Sequence, residues 1–359
     1  MSLKGLRLAI AGKPVLHSRS PDLHAAALSS TGTLGFYTRL AADDAEDALT
    51  LGRLLNLTGL TLTAPFKEDL ARIVTRPAAE VTALGAANTV VFDGDETRGF
   101  NTDVFGAMES LREVGADVTG RQVLVLGSGG AARAVCYGLS LAGAKVIVSS
   151  VEDAVGRALA DTHGFTFVAW TKELLRAAAA DCGIIVNATS CSEEMIPADA
   201  LRSSHVVLDA IYAHDTKLIQ SARAAGARVI DGLPWLAHQG REAFRIFGGL
   251  DVPAQVLLDA LSHNRTGSGR VEVSGHESSA SIAALVAARF GAESFSGSER
   301  TAELQLGSGY AFDFRVVLFD AATPTASEDL QSADLIIPIR NGDRERAAER
   351  LAFELDYLR

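Results

Sequence analysis

The sequence predicts an α/β protein. It has an N-terminal α/β unit, a second unit on a doubly wound parallel sheet, and a C-terminal α/β appendage. Three observations carry this. Short apolar runs of strand length alternate with helical patterns from residue 6 to residue 262, and such alternation gives a mainly parallel sheet covered by helices. A glycine-rich turn, Gly127-Ser128-Gly129-Gly130-Ala131-Ala132, stands between a strand and a helix. The polar, glycine-containing stretch 264–269 then reads as a linker to a tail whose composition stays globular.

In chain order, residues 6–11 read as a buried strand and 21–29 as a short helix. Residues 35–41 form the next strand and 43–55 a helix. A strand at 59–63 is stopped by Pro65, and 66–74 is helical after it. Residues 102–114 read as a helix crossing between the two units. The alternation then resumes with a strand at 122–126, a helix at 131–141 and a strand at 145–149. Further strands are expected at 165–169, 183–187, 205–210 and 228–230. A helix at 235–247 crosses back, and 253–262 closes the first unit. In the tail, 312–319 and 335–339 look like strands. Residues 343–358 form an amphipathic helix with Asp343 as its N-cap. The domains expected are 1–104 completed by 242–262, then 105–241, then 263–359.

Composition narrows the function. The 359 residues are 48% hydrophobic but only 6% aromatic, so the cores should be mostly Ala, Leu and Val. A net charge of −11 argues against a nucleic-acid partner, which needs clustered Lys and Arg. Cys136, Cys182 and Cys191 are scattered, which fits a reducing cytoplasm and suggests no metal site. No apolar run approaches the roughly 18–20 residues of a membrane span, and residues 1–7 lack the apolar core of a signal peptide. The sequence leaves assembly as a homodimer open.

The glycine-rich turn has the context that a Rossmann-type dinucleotide site requires. Glycines let the backbone approach a pyrophosphate, and the following helix offers N–H donors and a favourable dipole. The end of the next strand should choose between NAD and NADP. It reads Ser149-Ser150-Val151-Glu152-Asp153, with no arginine at the turn and two acids that repel a 2′-phosphate. Those acids also suit a helix N-terminus on their own.

Four polar clusters in the first half exceed what the fold needs. His17-Ser18-Arg19-Ser20-Pro21 offers two hydroxyls, although Ser20 taken alone reads as a helix cap. Thr61-Leu62-Thr63-Ala64-Pro65-Phe66-Lys67 places a lysine beyond a proline turn, where it can donate a proton or hold an alkoxide. Gly85-Ala86-Ala87-Asn88-Thr89 and Gly99-Phe100-Asn101-Thr102-Asp103 each set short polar side chains beside a strand. Asp103 could pair with Lys67.

In this order, with Asn187–Ser190, Asp209–Tyr212, Thr216, Asp231–Gln239 and Phe244, these stretches resemble the shikimate dehydrogenase family. The resemblance runs from about residue 6 to residue 262. It implies an N-terminal substrate-binding domain, a Rossmann-type second domain, and reversible NAD(P)-dependent reduction of 3-dehydroshikimate to shikimate in aromatic amino-acid biosynthesis. It further implies that Ser18 and Ser20 bind the substrate carboxylate. Thr63, Asn88, Tyr212 and Gln239 would contact carboxylate or hydroxyls, and Lys67 and Asp103 would form the catalytic pair. Gly127, Ser128, Gly129, Gly130, Ala131, Asn187, Thr189 and Gly232 would bind the cofactor, which is NADP in most members.

The sequence departs from the family pattern at several places. Thr61 stands where Asn is usual, Ser149-Ser150-Val151 where Asn-Arg-Thr is usual, Pro234-Trp235 where Gly-Met is usual, and Cys191-Ser192 where an apolar-Gly step is usual. The missing arginine keeps an NAD-dependent quinate/shikimate dehydrogenase as the alternative. A non-catalytic sensor is disfavoured because Lys67 and Asp103 are both present. The tail lies outside the resemblance. Residues 271–275 and 278–290 faintly resemble the opening of enolpyruvylshikimate phosphate synthases, but without that family's basic residue. An appendage for association or stability is the simpler expectation. On that expectation a chain ending near Ser262 keeps its fold and activity.

Overall fold

The structure is a computed structural model that describes residues 5–263, 270–275, 278–290, 294–297, 301–306, 313–320, 332–339 and 343–358. The expected linker at 264–269 lies outside the described residues, as does residue 312 at the start of one expected tail strand. The chain forms two compact units. One holds residues 1–76, 88–99 and 244–359, and the other 77–87 and 100–243. The sequence instead divides at 104 and 241.

The first unit opens with β1 (Leu6–Gly12), α1 (Ser20–Thr31), β2 (Gly35–Ala41), α2 (Ala45–Leu54), β3 (Gly59–Leu62), α3 (Lys67–Ile73) and the short β4 (Arg76–Pro77). After α4 (Ala79–Leu84) come β5 (Thr89–Asp93) and β6 (Glu96–Phe100). β1 pairs in parallel with β2 on one side and β3 on the other, while β5 runs antiparallel to β3. The strands are short apolar runs because both faces of a parallel sheet are covered. In β1, Leu8, Ala9 and Ala11 are fully buried. α1 stops at Gly32, whose φ of 63° closes the helix in the left-handed region.

The second unit contains α5 (Asp103–Glu113), β7 (Gln122–Leu126), α6 (Gly130–Leu141), β8 (Lys145–Ser149), α7 (Asp153–His163), β9 (Thr166–Phe167), α8 (Lys172–Asp181), β10 (Ile184–Asn187), β11 (Val206–Asp209), α9 (Lys217–Ala224), β12 (Arg228–Ile230) and most of α10 (Gly232–Gly248). Its sheet runs β12-β11-β10-β7-β8-β9, and the pairs are parallel. The order reverses between β7 and β10. That is the doubly wound arrangement expected, and its crevice opens at the carboxyl ends of those two strands. α8 and α9 carry side-chain caps, Thr171 and Thr216, which bond the N–H of Leu174 and Ile219.

The rest of the first unit is α11 (Ala254–Ser262), β13 (Arg270–Ser274), α12 (Ser279–Phe290), β14 (Ser294–Gly297), β15 (Thr301–Gln305), β16 (Phe314–Asp320), β17 (Leu335–Ile339) and α13 (Arg344–Asp356). As expected, Asp343 caps α13, accepting from the Arg346 N–H at 3.0 Å. The strands of this segment do not form a sheet of their own. They extend the first one in the order β14-β15-β13-β16-β17-β2-β1-β3-β5-β6-β4. Ile336 of β17 stands beside Leu40 of β2 in parallel register. β2 is therefore an interior strand, and Leu335, Ile336, Ile337, Leu351 and Leu355 are completely buried.

This sheet changes the expectation for a chain ending at Ser262. Such a chain bares the β2 edge, and unpaired sheet edges recruit other strands. We expect it to associate and to melt well below the full chain. A monodisperse monomer with an unchanged Tm would contradict this.

His24 lies buried under Tyr37 with ring centroids 4.1 Å apart. Burial pushes its pKa from the usual 6.5 down to about 3. Between those values the unfolded chain binds the proton and the folded chain does not, so stability falls as pH drops from 6.5 towards 3. This group contributes up to about 1.4 kcal/mol per pH unit. Denaturant unfolding at pH 7 and pH 5 should show a shallower loss in His24→Phe than in the parent. Equal losses would remove His24 as a cause.

Candidate active site

In the first unit the expected substrate groups hang from one edge of the sheet. β1 and β3 are parallel, so their carboxyl ends lie together, and antiparallel β5 begins beside the end of β3 with Thr89 opposite Thr61. Ser18 and Ser20 follow β1, Thr63 and Lys67 follow β3, and Asn88 precedes β5.

Ser18 and Ser20 are both 4% exposed. The Ser18 hydroxyl donates to Ser20 Oγ at 3.2 Å and accepts from the Ser20 N–H at 3.2 Å. Ser20 is not the helix cap that the residue alone suggests. The cap position is Arg19, no side chain fills it, and Ser20 is the first residue of α1. Two hydroxyls thus stand at the positive end of the α1 dipole, which favours a carboxylate, while the first N–H groups of α1 are already bonded, Ser20 to Ser18 Oγ and Asp22 and Leu23 to the Arg19 carbonyl.

Sequence reasoning missed two residues here. Tyr37 on β2 is buried, its hydroxyl hydrogen-bonds Thr61 Oγ1, and burial raises its pKa against hydrogen bonds to Thr61 and Ser20. Thr61, the departure from the family pattern, is therefore engaged by a tyrosine. Arg39, also on β2, is 2% exposed and donates from Nε and Nη2 to the Ser18 carbonyl at 3.1 and 2.6 Å. Each follows the strand's alternation only weakly, because β2 is covered on both faces.

Thr63 is held by its N–H on the Ala11 carbonyl at 2.9 Å, and a side chain on Gly12 would strike its methyl group. Lys67 is half-buried at the start of α3, after the cis Ala64–Pro65 bond. Asn88 is 3% exposed; its carbonyl accepts from the Leu62 N–H at 2.8 Å and its side-chain oxygen from Thr89 at 3.0 Å.

In the second unit Asp103 is the first residue of α5 and 6% exposed. Its N–H donates to Asn101 Oδ1 at 3.1 Å, and Asn101 is itself tied to the Ala86 carbonyl at 3.0 Å. Gln239 lies beside this helix start, with Thr102 Oγ1 on its Oε1 at 3.3 Å. The two helices meet at Gly106, where a Cβ would lie 2.8 Å from the Trp235 carbonyl. Trp235 itself is a core residue, 4% exposed. Tyr212, half-buried, follows β11.

Of the residues expected to bind a cofactor, 127–131 follow β7 and Asn187 and Thr189 lie at the end of β10, the two strands that flank the crevice, while Gly232 opens α10. Gly127 has a φ of 118°, which an L side chain resists, and its N–H bonds the Ser149 carbonyl at 2.8 Å. Gly129 faces open space, and α6 begins at Gly130 with no side chain on its N-terminal amides. This backbone fits a pyrophosphate. Ala131 continues the first turn of α6. Asn187 is fully buried. Its Oδ1 accepts from Thr189 N–H and hydroxyl at 3.0 and 2.7 Å, and its amide donates to Asp209 at 3.0 Å. Burial raises the Asp209 pKa, opposed by hydrogen bonds from Ile211, Thr216 and Asn187. Asn187 thus holds Thr189 in place. Gly232 lets α10 start against β11's exit, where a Cβ would lie 2.5 Å from the Ala210 carbonyl.

At the β8 turn the Ser150 hydroxyl bonds Ser128 at 2.8 Å and accepts from the Glu152 N–H at 3.2 Å. Arg157 pairs with Asp153 at 2.9 Å and lies over the Phe167 ring at 4.5 Å. Among the described residues, no group of His, Cys, Asp and Glu could hold a metal ion, and no helix is long and apolar enough to cross a membrane.

Comparison with known proteins agrees with this layout. Residues 10–90 match the family model described as shikimate dehydrogenase substrate binding domain. The shikimate dehydrogenase (NADP(+)) of Methanothrix thermoacetophila is 38% identical over 274 residues, 74% of this chain and 98% of that protein. The crystal structure of shikimate dehydrogenase from Aquifex aeolicus aligns with a TM-score of 0.68 at 32% identity, covering 73% of this chain and all of that one. The enzyme of Thermus thermophilus, solved in complex with NADP(H) and shikimate, aligns at 0.65 and 35%, covering 71% and 98%. About a quarter of this chain thus has no counterpart in these relatives. Matches of this identity over nearly the whole of each relative settle the family: the chain belongs to the shikimate dehydrogenases.

Proposed function

We propose that this chain catalyses the reversible nicotinamide-dependent reduction of 3-dehydroshikimate to shikimate. The observation that carries it is the set of groups at the carboxyl ends of β1 and β3. Paired serine hydroxyls at the positive end of the α1 dipole suit a carboxylate, and Thr63, Asn88 and Lys67 suit ring oxygens. Ser18 and Ser20 bind the carboxylate. Thr63, Asn88, Tyr212 and Gln239 contact the carboxylate or hydroxyls. Lys67 and Asp103 are the catalytic residues.

The cofactor, when bound, supplies the hydride, and Gly127, Ser128, Gly129, Gly130, Ala131, Thr189 and Gly232 shape its site. As the C3 carbonyl is reduced, negative charge grows on its oxygen. The Lys67 ammonium stabilises that charge and gives the oxygen its proton. Asp103, fixed by Asn101, orders the lysine and a substrate hydroxyl. A non-catalytic sensor has no use for this acid and base. Three free cysteines support a reducing cytoplasm as its location.

Lys67→Ala should lower kcat by about 10²–10⁴-fold with little change in shikimate binding, because the lysine acts on transition-state charge. Steady-state assays settle this, and near-normal turnover would remove Lys67 from the chemistry. Ser18→Ala and Ser20→Ala should each raise KM for shikimate and leave kcat nearly intact. Wild-type behaviour of both would leave the carboxylate without its binding site.

The second reading, an NAD-dependent quinate/shikimate dehydrogenase, is favoured by the β8 turn. A 2′-phosphate needs a cation, best a bidentate one. Ser150 is bonded to Ser128, and Arg157 is engaged with Asp153 and Phe167. We expect NAD to serve at least comparably with NADP. A ratio of catalytic efficiencies near a hundredfold in favour of NADP, about 2.7 kcal/mol, would refute this.

A further inference from the structure

The C-terminal segment is bonded to the loop that carries Ser18 and Ser20. Glu354 on α13 is fully buried, and its Oε2 accepts from the N–H groups of both Val15 and Leu16 at 2.8 Å. Arg350, one turn earlier, pairs with Glu354 at 2.8 Å and donates to the Gly12 carbonyl at 2.8 Å. The Tyr357 ring lies 4.8 Å from His17. A second tie comes through β2. Arg39 grips the Ser18 carbonyl with Nε and Nη2, and its Nη1 donates to the Asp334 carbonyl at 3.1 Å, just before β17. Beside it, Thr38 donates to the Ala333 carbonyl at 2.5 Å.

These contacts are more specific than packing requires. Apolar side chains would hold α13 to the sheet without the cost of burying a carboxylate. A carboxylate on two successive amides instead fixes the backbone of residues 15 and 16. The Ser18 N–H then closes the turn on the Val15 carbonyl at 3.0 Å. The place of the Ser18 hydroxyl follows from that turn, and Ser20 is bonded to it.

We propose that the C-terminal extension positions the substrate-carboxylate loop, through Glu354 on α13 and through Arg39 of β2, which bridges the loop to the extension at Asp334. This rests on the reading of Ser18 and Ser20 as carboxylate ligands. Shikimate affinity then depends on a segment outside the part shared with the relatives. Cofactor affinity does not, because the dinucleotide residues belong to the other unit.

The test uses the full chain. Glu354→Gln and, independently, Arg39→Lys should raise KM for shikimate about tenfold or more, with kcat and cofactor KM within about twofold. Val286→Ala removes buried volume from α12 in the same extension and should lower Tm without moving the shikimate KM. In a Ser18→Ala, Ser20→Ala background, Glu354→Gln should no longer change kcat/KM, because it acts through those serines. An unchanged shikimate KM in both folded positioning variants overturns the proposal. So does an equal rise in Val286→Ala, or a full effect in the serine-free background. If the two serine substitutions themselves leave KM unchanged, the carboxylate-loop reading falls instead.

Discussion

The parallel pairing of β1 with β3 is the constraint on which the rest of the N-terminal unit depends. Strands that run the same way end at the same edge, so loops far apart in sequence are delivered to one place. Ser18, Thr63 and Lys67 need no contact of their own to converge, because the register Leu8↔Gly59 to Ala11↔Leu62 does it for them. Antiparallel β5 then starts where β3 ends, which adds Asn88. A one-residue slip would turn each strand over and disperse the set.

The extension exploits the same sheet from the other side. A β2 strand left at the edge would show unpaired backbone groups. With β17 beside it, β2 is covered, and its Arg39 is buried with partners on both sides. Such burial is demanding. Removing one member of a buried ion pair such as Arg350–Glu354 costs about 3–5 kcal/mol, because the other charge stays unpaired. The extension and the loop are therefore bound by groups that tolerate little displacement, which separates this arrangement from an appendage resting on apolar contact.

On the dinucleotide side the doubly wound fold is kept while one turn departs from the family pattern. The glycine-rich turn keeps its left-handed Gly127 and its uncapped helix start. The neighbouring turn has serines and acids where a cation would discriminate between dinucleotides. Ser150 closes on Ser128 and shapes that turn. Asn187 and Asp209, the last residues of β10 and β11, form a buried pair that holds Thr189 and Thr216.

The sequence by itself determined the α/β class, the strand–turn–helix at Gly127, the position of many of the elements though not of β4 to β6, α4, α7 to α9, β14 or β15, and the residues that mark the family. Those signals are local: apolar runs, helix caps such as Asp343, glycines and short polar clusters. It also marked the serine pair, although Ser20 alone reads as a cap and the carboxylate role comes only from the family resemblance. Only the tertiary structure decided the geometry of the loop before α1, with Arg19 at the cap position and Ser18 bonded to Ser20. It likewise decided that β17 pairs with β2, that Asn187 faces inward, and that Glu354 reaches Val15 and Leu16 across more than 300 residues of chain. The physical reason is that an amphipathic helix and an apolar strand state what they will bury, not what they will bury it against. Partners so distant in sequence are chosen by shape and register in the folded sheet, and nothing in the local pattern around Glu354 or Arg39 encodes them.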